Sequence, residues 1–182
     1  MARGLVVVDI QNDYFPGGAH PLAGPDAAAE AARRLIEGFR AAGRPVVHLQ
    51  HVWDEPDATF MRPGTPGVEI HERVRPAAGE TVIAKAHPNG FLETGLHDAL
   101  RERGVDELVV CGMMTSMCVD ATVRAAVDLG FPTAVAHDAC ATCDLEFEGT
   151  RVPAAAVHAA FLAALADGYA DVLSADGVLA RA

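Results

Sequence analysis

The apolar positions of this chain alternate between two rhythms. Short, nearly continuous apolar runs at Leu5 to Ile10, Pro45 to Gln50, Glu80 to Ala84, Leu108 to Gly112, Pro132 to His137 and Ala170 to Leu173 read as strands buried on both faces. Between them lie helical stripes. Pro25 and Asp26 open one whose buried side is Ala28, Ala32, Leu35, Ile36 and Phe39, closed by Gly43. Thr94 can cap a second, with Leu96, Ala99 and Leu100 inward and Gly104 as its stop. Val119, Val123, Ala126 and Val127 form a third ending at Gly130, and Val157, Ala160, Phe161, Ala164 and Leu165 a fourth between Pro153 and Gly168. Six strands alternating with helices predict an α/β fold, a three-layer open parallel sheet with helices on both faces. Right-handed crossovers leave few ways to wind it, and the order 3-2-1-4-5-6 is expected. The topological switch then falls between strands one and four, where ligands bind outside the carboxyl ends of the strands.

Three stretches break the rhythm: Gln11 to Gly24, His51 to Gly79 and Asp138 to Thr150. The second holds four prolines and three glycines, and is longer than compact domains usually carry without a purpose, so it is expected to be a lid or a subunit contact. It bears Val52, Trp53, Phe60, Met61, Val68 and Ile70, which would expose apolar surface on a monomer. A homodimer or homotetramer is therefore expected.

Composition narrows the picture. At 182 residues, about half of them apolar, the chain suits a single domain spanning 1–182. A formal charge of −11 argues against nucleic acid as partner. The apolar run after Met1-Ala2-Arg3-Gly4 is too short for a signal peptide or a membrane span, so a cytoplasmic protein without membrane contact is expected. Four irregularly spaced cysteines suggest reduced thiols.

Candidate chemistry gathers at the strand ends. Asp9 closes strand one, and Cys118 follows strand four where a turn feeds the third helix. A thiol at a helix N-terminus sees free backbone N–H groups and the positive end of the macrodipole, so a depressed pKa is expected for Cys118, together with preferential alkylation over Cys111, Cys140 and Cys143. Lys85 closes strand three and is the single lysine beside thirteen arginines. A crowded crevice can admit its compact charge where a guanidinium fork would not fit.

Asp9 in Val7-Val8-Asp9-Ile10-Gln11-Asn12-Asp13-Tyr14-Phe15, Lys85 followed by Asn89-Gly90-Phe91 and Thr94, and Cys118 in Gly112-Met113-Met114-Thr115-Ser116-Met117-Cys118-Val119-Asp120-Ala121-Thr122 resemble the isochorismatase-like cysteine hydrolases. The likeness extends to Gly130-Phe131 and His137-Asp138-Ala139, and so covers nearly the whole chain in order. It implies a hydrolase acting on a carbon–nitrogen bond next to a carbonyl, as in nicotinamidase, N-carbamoylsarcosine amidase, ureidoacrylate amidohydrolase and streptothricin hydrolase. It also implies a catalytic triad of Asp9, Lys85 and Cys118, an oxyanion hole from the backbone N–H groups of Met114 and Cys118, and a cis peptide between Met113 and Met114. Members without the cysteine hydrolyse isochorismate, so Cys118 favours amide over vinyl ether cleavage. A catalytically inactive interaction protein keeping the fold is the alternative, opposed by three intact reactive positions.

The metal-dependent nicotinamidases carry an Asp-x-His pair after strand two that His48-Leu49-Gln50-His51 lacks, so neither a metal nor another cofactor is expected, and His51 reads as a pocket-lining residue. Cys140 and Cys143 form a lone CxxC that reads as loop packing. Phe15, Trp53, Phe60, Phe91 and Ser116 are the candidate substrate-binding residues for a small-molecule amide. Asp54, Glu55 and Asp57 would suit a cationic substrate such as streptothricin.

Overall fold

The computed structural model describes residues 2–181. Strand β1 (Ala2–Val8) is followed by a 3-10 turn (Asn12–Tyr14) and helix α1 (Pro25–Ala41). Strand β2 (Val46–His51) leads through two further 3-10 turns, Pro66–Val68 and Glu72–Val74, to β3 (Thr81–Lys85). Then come α2 (Leu96–Glu102), β4 (Val105–Met113), a π-helical turn (Thr115–Val119), α3 (Asp120–Asp128) and β5 (Thr133–Ala141). A hairpin of β6 (Leu145–Phe147) and β7 (Thr150–Val152), α4 (Ala154–Gly168), β8 (Asp171–Leu173) and α5 (Ala175–Ala180) complete the chain.

The six-stranded sheet has the order β3-β2-β1-β4-β5-β8 with every pair parallel. This is the expected winding, the sixth sheet strand being β8. Because side chains alternate across a strand, β1 supplies both cores. Leu5 and Val7 meet Leu35, Ile36 and Phe39 of α1 and Val178 of α5. Val6 and Val8 meet Leu96 and Leu100 of α2, Val123 of α3 and Leu165 of α4 on the other face. All of these are buried, which is why the strands read as continuous apolar runs.

Helix entry follows local chemistry. Gly24 takes a left-handed φ of 66° and hands the chain to Pro25 at the first position of α1, where a missing N–H costs nothing. The N-cap of α2 is Gly95, not the expected Thr94, which stands one residue earlier, accepts from the Leu96 N–H at 3.3 Å and donates its hydroxyl to the Gly90 carbonyl at 2.6 Å. Gly112 sits where β4 presses on β1: its φ is 133°, and a Cβ there would lie 2.0 Å from the Val8 carbonyl oxygen.

Three expectations need correction. Strand five does not stop at His137 but runs on to Ala141, past a register shift against β4 between Val110 and Gly112. The expected loop from Asp138 to Thr150 therefore holds the end of β5 and half of a hairpin too short to show an alternating pattern. Helix α5 was not expected; Asp138 Oδ1 accepts from the Ala175 N–H at 2.7 Å, and Ser174 caps it by accepting from the Gly177 N–H. The apolar residues of the long segment after β2 are not exposed, since Met61 and Val68 are buried and Val52, Phe60 and Ile70 pack against the α1-side core. The segment is tied down by hydrogen bonds from the Asn12 N–H to the Glu69 carbonyl and from the His71 N–H to the Ile10 carbonyl. Its surface thus gives no reason for a second subunit.

Candidate active site

Three strand ends deliver the reactive groups. Asp9 follows β1 with a left-handed φ of 48°, a conformation few non-glycine residues adopt and one that recurs at functional sites. Lys85 ends β3 in register with His51 at the end of β2. From there its long stem carries the ammonium across the end of β2 to Asp9. The Nζ lies 2.7 Å from Asp9 Oδ2, with both side chains fully buried. It also lies 3.0 Å from His51 Nδ1 and donates to the His87 carbonyl at 3.0 Å. Asp9 Oδ1 has no hydrogen-bond partner among the described residues. A fully buried carboxylate oxygen left without a partner is costly unless something else uses it.

Cys118 lies in the π-helical turn between β4 and α3, 5% exposed. The turn is wide because the Met114 carbonyl accepts from the N–H groups of both Met117 and Val119 at 3.1 Å, and such π turns are frequent at functional sites. The Met113–Met114 peptide is cis. One donor atom each from Asp9, His51 and Cys118 lies within 4.8 Å of the others, a set of ligands that in principle suits a divalent cation. Here the Lys85 ammonium already stands beside Asp9 and His51 as the resident positive charge.

The electrostatics depart from the sequence reading in one respect. Burial pushes the Cys118 thiol well up, the Asp9 charge adds to the rise, and Lys85 only partly opposes it. The resting sulfur is a thiol, and the low pKa expected from a helix N-terminus and a neighbouring lysine does not result. Burial likewise raises Tyr14, followed by the charges of Cys118, Asp9 and Cys143, which places this buried phenol at the same centre. Burial first and Lys85 second lower the pKa of His51, so its imidazole is neutral at physiological pH. Tyr14 and His51 are the site residues whose weight sequence reasoning missed; Tyr14 lies inside the stretch around Asp9, four residues beyond the buried Ile10.

The other candidates are placed unevenly. Ser116 Oγ and Thr142 Oγ1 form a buried hydroxyl pair at 2.8 Å next to the turn. Phe15 stacks on His71 at 3.7 Å, and with Phe60 it lines a cavity of about 700 Å³ between the segments around Asn12 and Thr65. Trp53 meets the edge of Phe60 at 5.3 Å. Phe91 instead packs on the α2 side, its ring 6.1 Å from that of Phe131. Lys85 borders a second cavity of about 350 Å³ with Asp54, His87 and Glu93. The two cysteines of the CxxC diverge: Cys140 donates to the Ala136 carbonyl, whereas Cys143 Sγ lies 3.8 Å from the Met114 sulfur.

A sheet of this order is shared with known proteins. A solved isochorismatase hydrolase from Oleispira antarctica superposes with a TM-score of 0.95 at 48% identity, covering 98% of this chain and 96% of its own. YddQ, an isochorismatase family protein of Bacillus subtilis strain 168, is 52% identical over 179 residues, 98% of this chain and 99% of that one. Streptothricin hydrolase of Streptomyces noursei is 41% identical over 145 residues, 79% of this chain, and the match spans about half (51%) of that longer protein. Residues 3–176 match the isochorismatase domain, and with the geometry of its strand ends the chain belongs to the isochorismatase family of hydrolases.

Proposed function

We propose that this hydrolase cleaves a non-peptide carbon–nitrogen bond, amide, lactam or ureide, of a small molecule through a thioester on Cys118. The observation that carries the reading is the fully buried Asp9–Lys85 pair with a free carboxylate oxygen beside a cysteine thiol. Asp9 Oδ1 takes the Sγ proton as sulfur attacks the carbonyl carbon, and the new C–S bond pushes the carbonyl electrons onto oxygen. The resulting oxyanion is caught by the backbone N–H groups of Met114 and Cys118. As the tetrahedral species collapses, the C–N bond breaks and the proton held on Asp9 leaves with the amine or ammonia. A water that loses its proton to Asp9 then attacks the thioester, and the released thiolate recovers that proton. Lys85 steadies the thiolate and the carboxylate without itself turning over.

A raised thiol pKa fits this scheme, because sulfur becomes anionic only when a substrate is in place to accept it. The likeness to streptothricin hydrolase, together with Asp54 and Glu93 around the cavity next to Lys85, supports a substrate bearing a positive charge. Four cysteines without a disulfide support a reducing, cytoplasmic setting, and a homodimer or homotetramer now rests on the family likeness and the commonness of symmetric assemblies, no longer on the segment after β2. The test is hydrolysis of a panel of simple amides, lactams and ureides by the parent protein, Cys118→Ala and Asp9→Asn. Turnover that both variants abolish is expected; a panel left intact by the parent, or turned over equally by Cys118→Ala, would overturn the reading.

A further inference from the structure

We propose that His51 is a fourth member of the centre: a positioning residue whose neutral Nδ1 accepts a hydrogen bond from the Lys85 ammonium and so fixes it between carboxylate and thiol. The inference rests on the reading of Asp9, Lys85 and Cys118 given above and adds a residue to it.

An ammonium has three donors, and three acceptor atoms surround this one. It makes hydrogen bonds at 3.0 Å to the His87 carbonyl and to His51 Nδ1, while Asp9 Oδ2 lies 2.7 Å away as an ion pair without hydrogen-bond alignment. Lysine is a flexible stem with rotatable donors, so three acceptors in fixed places are what hold its charge at one point. Two of them are fixed in place: a backbone carbonyl and the buried carboxylate with which the ammonium pairs. The imidazole is the adjustable one. Accepting at Nδ1 fixes the tautomer, leaving the proton on Nε2.

The backbone of His51 is held with unusual completeness. The fully buried amide of Gln11 donates from Nε2 to the His51 carbonyl at 2.8 Å and to the Val68 carbonyl at 2.7 Å, and its Oε1 accepts from the His51 N–H at 2.8 Å. Gln11 thus grips both polar groups of one residue and ties them to the segment that follows. Such a clamp locks the end of β2 and hence the ring that faces Lys85. A residue that only lined a pocket would not need both backbone groups gripped by a buried amide.

The groups that face His51 come from every neighbouring element: Asp9 after β1, Lys85 at the end of β3, His87 in the turn beyond it and Cys118 in the π turn. Protonating the imidazole removes the acceptor and sets a second cation against the ammonium. The three-point hold on Lys85 is then lost as pH falls, and Nζ is driven toward Asp9, which must stay free to take a proton. The consequence is an acid limb of activity governed by His51, below the ordinary histidine range because burial favours the neutral ring.

Lys85 is the single lysine of the chain, so lysine labelled with nitrogen-15 at the side chain gives one ammonium signal. In the parent protein that signal is expected to move with one ionisation below pH 6.5, the usual histidine value. In His51→Asn, whose amide oxygen can replace Nδ1 as acceptor, the signal is expected to persist and the movement to vanish. In His51→Leu its protons should exchange with water at least about tenfold faster. The same variants are read by kinetics on a hydrolysed amide: kcat should fall about tenfold or more in His51→Leu with KM little changed, and stay within about threefold in His51→Asn with the acid limb displaced to lower pH. An ammonium signal that titrates identically in His51→Asn, or exchanges no faster in His51→Leu, would overturn the proposal. The nuclear signal needs no substrate, so failure of this tether is distinguishable from failure of the amidase reading.

Discussion

Replacing Lys85 with methionine tests the electrostatics of the centre without reference to any substrate. Both side chains of the Asp9–Lys85 pair are fully buried and 2.7 Å apart, so the change leaves a carboxylate with no cation in the protein interior. Breaking a buried pair by removing one partner costs about 3–5 kcal/mol, since the remaining charge keeps its desolvation penalty and loses its compensation. That is a large part of the roughly 5–15 kcal/mol that separates folded from unfolded domains. The loss should be visible as a lower midpoint in urea denaturation at pH 7, with an unchanged m-value. Adding Asp9→Asn in the same chain replaces the orphaned charge by a neutral amide, so the double variant should recover about 2 kcal/mol or more relative to Lys85→Met alone. Equal stability of Lys85→Met and the parent, or a double variant whose loss equals the sum of the two single losses, would refute the picture of a dry, mutually dependent pair.

At Gly112 an added methyl meets the Val8 carbonyl oxygen at 2.0 Å in a left-handed backbone, so Gly112→Ala is expected to leave the protein unfolded or to lower its thermal midpoint by at least about 10 °C in a calorimetric scan. Glu80 is held at about 2 although burial pushes it up, because Arg40, the Ala77 N–H and His48 all bond its carboxylate. The unfolded chain therefore takes up a proton near pH 4.5 that the folded chain refuses until about 2, and stability is lost as pH falls through that window. After allowance for solvent screening, the urea stability difference between pH 5 and pH 3 should shrink by about 1–2 kcal/mol in Glu80→Gln. Iodoacetamide at neutral pH is expected to modify half-buried Cys143 before Cys118, whose thiol is buried and raised further; peptide mapping decides, and first labelling of Cys118 would show that Lys85 outweighs burial.

Strand order was legible because it depends on few things: continuous apolar runs, glycine stops and the handedness of crossovers. That order alone brings Asp9 and Cys118, more than a hundred positions apart, to adjacent strands, as the pairing of Val8 with Gly112 shows. Lys85 was legible from its solitude among arginines and its place at a strand end. The direction of the Cys118 shift was not, because a helix N-terminus is a sequence feature whereas the depth of burial around a turn is a property of the packed whole. His51 was read as a pocket-lining residue rather than a metal ligand, with no partner named for it. Its actual neighbour is a lysine 34 positions later, reached through the register of β2 with β3, which no local pattern encodes. The hairpin and α5 escaped notice because three-residue strands and a six-residue helix complete fewer than two periods of the signal that would announce them.

The central place of β1 also bears on how the chain comes together in time. β1 lies between β2 and β4, and its partners on the β4 side, from Val105 to Gly112, are made about a hundred residues after it. On a ribosome adding about 5–20 residues each second, β1 waits several seconds with one edge open while β2, β3 and α2 emerge. During that interval Asp9 and Lys85 can meet, but the sulfur that would make them a catalytic set does not yet exist. A nascent or truncated chain ending before Val105 therefore offers an apolar parallel strand with a row of unpaired backbone groups, the kind of edge on which other chains add.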